Sequence, residues 1–412
     1  MKRFLIAIAL TASAAVSQAQ DLLITNATLH SMGGGGVIES ADVLIEDGRV
    51  KKIADRINPP EGMTTLDAAG RPVTPALFAG VTATGLVDVN AVRASVDNRL
   101  EELFTGLMHP EFDVRPAFNP HSSVVPVTRV EGFGYALLAA SFGDRSIPGS
   151  GTLVRFDGGF DSFEGKHVVY ASVTGRSASA VGGSRAAHWM LLNAAFDELE
   201  VDRDELELLS PMGQKVLAKV VKSGVFVFTA HRASDILQVI RFAEARDIDV
   251  VVLGAREAWM VRDELARAQV PVIINSLDNL PADFDSLGAR IDNAALLHEA
   301  GVTVMFSSGE VPNARKVRQV AGVAAANGLP HEVALAGLTT VPARVFGGGQ
   351  RVVERGATAD LVIWSGDPLE VTTWAEQVIM GGVPDSMESR QTKLRDRYLP
   401  REAPMGRGYI KP

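Results

Sequence analysis

The sequence predicts an α/β fold, with a (β/α)8 TIM-like barrel in the middle of the chain and a small sheet domain built from both of its ends. Three observations carry this expectation. In the second half, short continuously apolar runs alternate with amphipathic stretches, the pattern of a parallel sheet covered on both faces. The alternation belongs to a span of about 270 residues, which suits a barrel better than a smaller open sheet. Both ends carry short alternating strands punctuated by glycine and proline.

The elements follow in chain order. Lys2 and Arg3, an apolar stretch from Phe4 to Val16, and small residues at Ser17 and Ala19 read as an export signal with its cleavage site. The apolar stretch is shorter than the ~20 residues a bilayer requires, so residues 1–19 are expected to be removed and the mature chain to be periplasmic or secreted. Strands are expected at 21–31 and 41–54, the latter folded by Asp47-Gly48 into a tight hairpin. Residues 85–200 are rich in Gly, Pro and Ser, and no strands are drawn there. From 224 onward, strands at 224–230, 249–254, 271–275 and 302–308 alternate with helices at 233–246, 256–269 and 293–301. Helices at 313–327 and 331–338 close the series, and strands within 359–368 and 376–382 return to the sheet domain. The expected division is 20–74 with 346–395 for the sheet domain, 75–345 for the barrel and 396–412 for a tail.

Composition narrows the function. Apolar residues make up 46% and charged residues 22%, enough to bury a sizeable core. A net charge of −9 argues against a nucleic-acid partner or an anionic membrane surface. With no cysteine there is no disulfide, thiol nucleophile or thiolate metal site. The eight histidines form neither H-x-H nor HExxH, and no G-x-S-x-G elbow occurs.

Several stretches resemble the amidohydrolase superfamily, in particular its imidazolonepropionase-like and dihydroorotase-like members. They are "GRPVTPALFAGVTATG" (70–85), "NPHSSVVPVTRVEGFGYALLAA" (119–140), "GVFVFTAHRASDI" (224–236), "NGLPHEVALAGLTTVPARVFG" (327–347) and "GATADLVIWSGDPL" (356–369). The resemblance implies a barrel with a composite β-sandwich formed by both termini, and one or two divalent metals, usually zinc, at the C-terminal mouth of the barrel. Two histidines at i and i+2 on the first strand would serve because alternate strand residues share a face. Carried onto this chain by Pro75 and Gly85, those positions are Val81 and Ala83, and the preceding carboxylate falls at Ala79. The later ligand positions fall at Thr229 and Leu253, and the general-base aspartate within Ser307-Ser308-Gly309.

None of these residues ligates a metal through its usual chemistry, and without a metal the bound water keeps its high pKa. The expectation is an exported, degenerate, non-catalytic family member (a pseudoenzyme) acting as a subunit or binding protein, with no cofactor. Its partner would be an intact homologue or a second copy. The alternative is an active hydrolase of amide or cyclic amide C–N bonds with an unconventional site; only that reading calls for zinc or another divalent metal. Its catalytic candidates are His231 and Glu310, with Thr82, Thr84 and Asn275 as substrate-binding candidates. His231 equally reads as an imidazole bonding a loop, and Glu310 as a solvated or Arg-paired carboxylate. A third reading has the mouth filled by Val81, Ala83, Phe228 and Leu253, leaving no ligand site. The acidic run 196–209 reads as a solvated helical face and Ser184 as a helix N-cap or anion site.

Overall fold

The computed structural model describes residues 21–101, 106–141, 144–202, 204, 207–309 and 311–399. The segment expected to be an export signal, Glu310 and the tail beyond 399 lie outside the described residues. No helix among the described residues is long and apolar enough to cross a membrane.

The described strands form two eight-stranded sheets. The terminal sheet takes β1 (Leu22–His30), β2 (Val37–Glu46), β3 (Arg49–Ala54), β4 (Thr64–Asp67) and β5 (Pro72–Pro75) from the N-terminal end. It takes β14 (Leu361–Trp364), β15 (Ala375–Met380) and β16 (Val383–Pro384) from the C-terminal end. Its order is β16-β15-β14-β5-β1-β2-β3, with β4 pairing β1 alongside that path. Asp47 and Gly48 both adopt positive φ, as a two-residue hairpin between right-twisted strands requires. The two chain ends meet where β5 pairs β14, and Trp364 Nε1 donates to Thr74 Oγ1 at 2.9 Å.

The barrel sheet contains β6 (Leu77–Thr82), β7 (Phe133–Leu138), β8 (Gly149–Arg155), β9 (Phe163–Ser172), β10 (Val225–Ala230), β11 (Val250–Gly254), β12 (Val272–Ile274) and β13 (Val304–Phe306), neighbours in chain order. Seven strands run the same way and β8 runs against them. The uniformly parallel sheet expected from the sequence is corrected here. The connections on either side of β8 hold no helix, and a short link without a crossover joins antiparallel strands.

Side chains sort by strand parity. Phe78, Tyr135, Leu137, Tyr170, Val227, Val251, Ile273 and Met305 fill the barrel interior. Their neighbours Leu77, Ala136, Val169, Phe226, Phe228, Val252 and Val304 face the surrounding helices. Phe228 therefore points outward, toward Phe242 of α5 (Ala233–Arg246), and does not fill the mouth. The other helices are α1 (Val124–Arg129), α2 (Gly175–Ala180), α3 (Arg185–Asp197), α4 (Pro211–Ser223), α6 (Arg262–Arg267), α7 (Asn293–Glu299), α8 (Val317–Ala326), α9 (His331–Ala336), α10 (Thr340–Phe346) and α11 (Arg390–Tyr398). Ala343 and Phe346 of α10 join the interior cluster. Within the acidic run, Glu198 begins a 3-10 turn after α3, is buried, and accepts the N–H groups of Glu207, Leu208 and Leu209. A solvated face is thus the wrong description of that carboxylate.

The sheet is nearly closed. The first and last strands share no ladder, but the Ser307 hydroxyl accepts from Val81 N at 3.1 Å and donates to Val81 O at 3.3 Å. Gly80 (φ +81°) permits this approach, since a Cβ there would lie 2.9 Å from Ser307 Cα. Beneath the barrel, Asp360 binds Arg155 (2.8 and 3.0 Å) and Arg351 (3.2 Å), and Arg351 also pairs with Glu164. This ionic knot ties the barrel to the terminal sheet.

Candidate functional site at the barrel mouth

A cleft of about 540 Å³ opens where β6, β7, β11 and β13 end. Val81, Ala83, Ala139 and Leu253 form its apolar wall, and Gly309 lies at its edge. The rim opposite is a small hairpin-like loop after β6, closed by a bridge between Val87 and Val96. Its backbone continues through Asn98, whose carbonyl accepts from Ser141 N at 2.6 Å beyond the end of β7. This loop brings Asn90, Asn98 and Arg99 to the cleft, with Ser141 and Thr82 adding hydroxyls. A larger recess of about 660 Å³ lies between the barrel and the terminal sheet. Its charges are engaged with one another (Arg129 with Asp385 at 2.6 Å, Arg155 with Asp157 at 2.9 Å), so the mouth cleft is the better ligand site.

The positions singled out from the sequence divide clearly. Val81, Ala83, Leu253 and Gly309 line the cleft, as does Thr82. Val81 packs with the barrel interior, whereas Ala83 packs with the outer layer, because the strand ends at Thr82. Thr82 and Thr84 are buried and their hydroxyls lie 3.0 Å apart; Thr84 does not line the cleft. Thr229 is half-buried and its Oγ1 has no hydrogen-bond partner among the described residues. Ala79 is fully packed in the outer layer. Asn275 Oδ1 accepts from Leu277 N at 3.2 Å and shapes the turn after β12, away from the cleft. Glu310 falls outside the described residues.

His231 sits beyond the end of β10 and does not line the cleft. Its ring lies against the backbone of Gly254, where a Cβ would come within 2.2 Å of Cε1. Burial, reinforced by the nearby Arg256 charge, pushes its pKa down to about 4, so the imidazole is neutral at physiological pH. Its Nδ1 has no partner among the described residues. The segment after β12 is pinned over this corner. Asp285 holds Arg185 and Gly175 N (2.6 Å), Glu257 Oε1 accepts from Gly288 N (2.8 Å), and Arg256 pairs with Asp278 (3.0 Å). Ser184 caps α3 by accepting from Ala187 N at 3.2 Å, the ordinary N-cap role.

The described residues of the mouth offer no donor set that fits a divalent cation. Zinc asks for imidazole, thiolate or carboxylate donors, three or four converging. Among the described residues no three His, Cys, Asp or Glu side chains come together in that way. Nor does the cleft show a nucleophile beside a base, since the Thr82 hydroxyl bonds Thr84 and no imidazole lines the wall. What the arrangement can do is bind, with an apolar floor, neutral hydrogen-bonding groups and one guanidinium. Sequence reasoning missed Asn90, Asn98, Arg99 and Ser141. Asn90, Asn98 and Arg99 lie in a polar, irregular stretch whose spacing carries no period, and the Val87–Val96 bridge with the bond from Ser141 N to the Asn98 carbonyl brings that stretch to the end of β7.

Comparisons with known proteins agree on the fold. No protein-family model matches the chain. A 134-residue segment is 32% identical to amidohydrolase tasK of Hapsidospora irregularis; the match takes in 31% of this chain and only 14% of that protein. Among solved structures, an amidohydrolase from Thermotoga maritima MSB8 superposes with a TM-score of 0.78 at 21% identity, covering 88% of this chain and 99% of that one. Molinate hydrolase gives 0.55 at 14% identity, covering 96% of this chain and 100% of its own. The resemblance to the amidohydrolase superfamily read from the sequence is borne out, in fold over most of the chain and in sequence over about a third of it.

Proposed function

We propose that this chain is an exported, divergent amidohydrolase-superfamily protein that has given up metal-assisted hydrolysis and serves as a binding protein, with the mouth cleft as its ligand site. In this reading the nearly closed sheet is a (β/α)8-type barrel with one reversed strand, and the terminal sheet stands for the family's composite β-sandwich. Residues 20–74 and 346–395 make one domain, 75–345 the other, and 1–19 are the cleaved signal. The observation that carries the proposal is the donor set at the cleft. The strand-end positions hold Val81, Ala83, Leu253 and Gly309, none of which offers a side-chain lone pair. At neutral pH, hydrolysis of an amide by this family's route needs a metal to lower the pKa of its water to ~7.

The alternative, a hydrolase acting through His231, Glu310 or Asn275, has weaker support. His231 lies away from the cleft and Asn275 is occupied by its own turn. A subunit role, in a pair with an intact homologue or a second copy, is favoured by one observation. Leu277, Leu280, Phe284, Leu287 and Ile291 are all exposed large apolar residues within one segment, more than a solvated loop requires.

The test is metal analysis of purified mature protein, stripped with chelator, reloaded with zinc or manganese and dialysed. Far less than one metal per chain is expected, with no turnover of a panel of lactams, imides and acyl-amino acids. One retained ion per chain with metal-dependent turnover overturns the proposal. Native mass on the same preparation reads self-association directly.

A further inference from the structure

The mouth cleft carries a feature that its loss of metal ligands does not explain. Among the described residues that line it, Arg99 is the one charged side chain. It has no ion-pair partner among the described residues, although the chain as a whole is acidic. Two carboxylates near it in sequence are committed elsewhere, Glu101 to Arg93 and Asp88 to the Ser122 hydroxyl, and exposed Asp97, two residues away, forms no ion pair with it among the described residues. Elsewhere on this protein several arginines are paired with acids: Arg129 with Asp385, Arg185 with Asp235, Arg256 with Asp278, Arg290 with Asp292. A guanidinium left open at the edge of an apolar-walled cleft leaves its planar pair of N–H donors for a group arriving from solution.

We infer that the cleft takes a small monocarboxylate with an apolar body, its carboxylate on Arg99 and its body against Val81, Ala83 and Leu253. This rests on the reading of the cleft as a ligand site and adds the chemical class of what enters it. One guanidinium matches one negative charge. A phosphate dianion would ask for further cations, and none lines the cleft among the described residues. Asn90 and Asn98 stand beside Arg99 on the rim and supply neutral hydrogen bonds to the same head group. A cleft of about 540 Å³ accommodates a ligand of about ten heavy atoms with room for solvent.

The experiment is ligand-observed NMR and calorimetry on the full mature chain, with 4-methylpentanoate and benzoate as probes and 4-methylpentanamide and benzamide as their uncharged counterparts. The acids are expected to bind at least about tenfold more tightly than the amides. Arg99→Gln should lose most of the advantage of the acids over the amides, bringing the ratio of their affinities close to one. Arg99 is exposed and makes no hydrogen bond within the described residues, so the variant should fold, which its circular dichroism would verify. Equal binding of acids and amides, or acid binding unaltered in Arg99→Gln, overturns the carboxylate class while leaving the cleft a ligand site. If neither acids nor amides bind at 10 mM in the unaltered protein, an upper limit set by the ~4 kcal/mol of a millimolar interaction, the ligand-site reading itself falls together with this inference.

Discussion

Replacing Ser307 by alanine tests the claim that one hydroxyl holds the seam between the first and last barrel strands. The side chain is 3% exposed and serves both backbone groups of Val81, itself 6% exposed. Removing it leaves Val81 N–H without its 3.1 Å acceptor and Val81 C=O without its 3.3 Å donor. Each buried backbone group left unmatched costs ~1–3 kcal/mol, with the carbonyl at the low end, so the pair comes to roughly 2–4 kcal/mol. The Gly309 N–H that also meets Ser307 Oγ is at an exposed residue, where water replaces the bond at little cost. In a chain of this size about 2 °C of midpoint accompanies each kcal/mol, giving a fall of about 4–8 °C. Differential scanning calorimetry of Ser307→Ala beside Ser223→Ala supplies the comparison. The Ser223 hydroxyl donates to Lys219 O on the exposed end of α4 and should shift the midpoint by less than about 1 °C. A Ser307→Ala midpoint within a degree of the unaltered protein would show that the strands close without this clasp.

Other consequences follow from the charged groups. Asp360→Asn removes the carboxylate that holds Arg155 and Arg351 together and accepts from Gly381 N at 2.7 Å. Leaving two partly buried guanidinium groups under-compensated should destabilise the protein by roughly 3–5 kcal/mol in urea unfolding; a loss under about 1 kcal/mol would mean that Glu164 and Asp157 already suffice. His188 and His231 are both pushed down to about 4 by burial. Each binds a proton more readily unfolded, near pH ~6.5, than folded, so their contribution to stability is full above that value and is lost as pH falls toward about 4. Imidazole NMR should find both neutral at pH 6, and either one titrating at pH 6 or above would contradict the burial assigned to it.

Much of the fold was legible because burial imposes a period. The helix expected at 233–246 is α5 to the residue, since Ile236, Val239, Ile240 and Ala243 mark one buried face. The strand at 224–230 is recognisable because both its faces are covered and the run is apolar throughout. Strand direction leaves no such mark. "GSGTLVR" of β8 would serve equally well in either orientation, and the short turn at Gly158-Gly159 decides it. The expected helix at 256–269 begins instead as a 3-10 turn, with α6 following from Arg262. Asn293 Oδ1, from a distant helix, takes the Trp259 N–H and holds that segment to α7. The apolar character of Val81, Ala83 and Leu253, which line the cleft, was legible because it is a property of single residues. The polar rim was not, because Asn90, Arg99 and Ser141 come together only through the loop's tertiary closure.

On the proposed reading, apolar strand ends and an open cleft have separate structural causes. Val81 belongs to the cluster that fills the barrel beneath the mouth, with Tyr135, Val227, Ile273 and Met305 as fellow members. An imidazole at 81 would bring a polar ring into that cluster, and in a metal site it is the cation that compensates such a ring. Without the cation, an apolar side chain is the more stable choice at this strand end. On the last strand, Ser307 satisfies Val81's own backbone and joins the two strands, a place where a carboxylate would carry an uncompensated charge. These residues pack the barrel only up to the level of the strand ends. Beyond them, the Val87–Val96 bridge and the Asn98–Ser141 hydrogen bond shape the rim, while Ala343 and Phe346 of α10 join the packed interior. Filling of the interior and openness of the mouth are therefore set by different elements, so on the proposed reading an apolar strand end is compatible with a cavity above it.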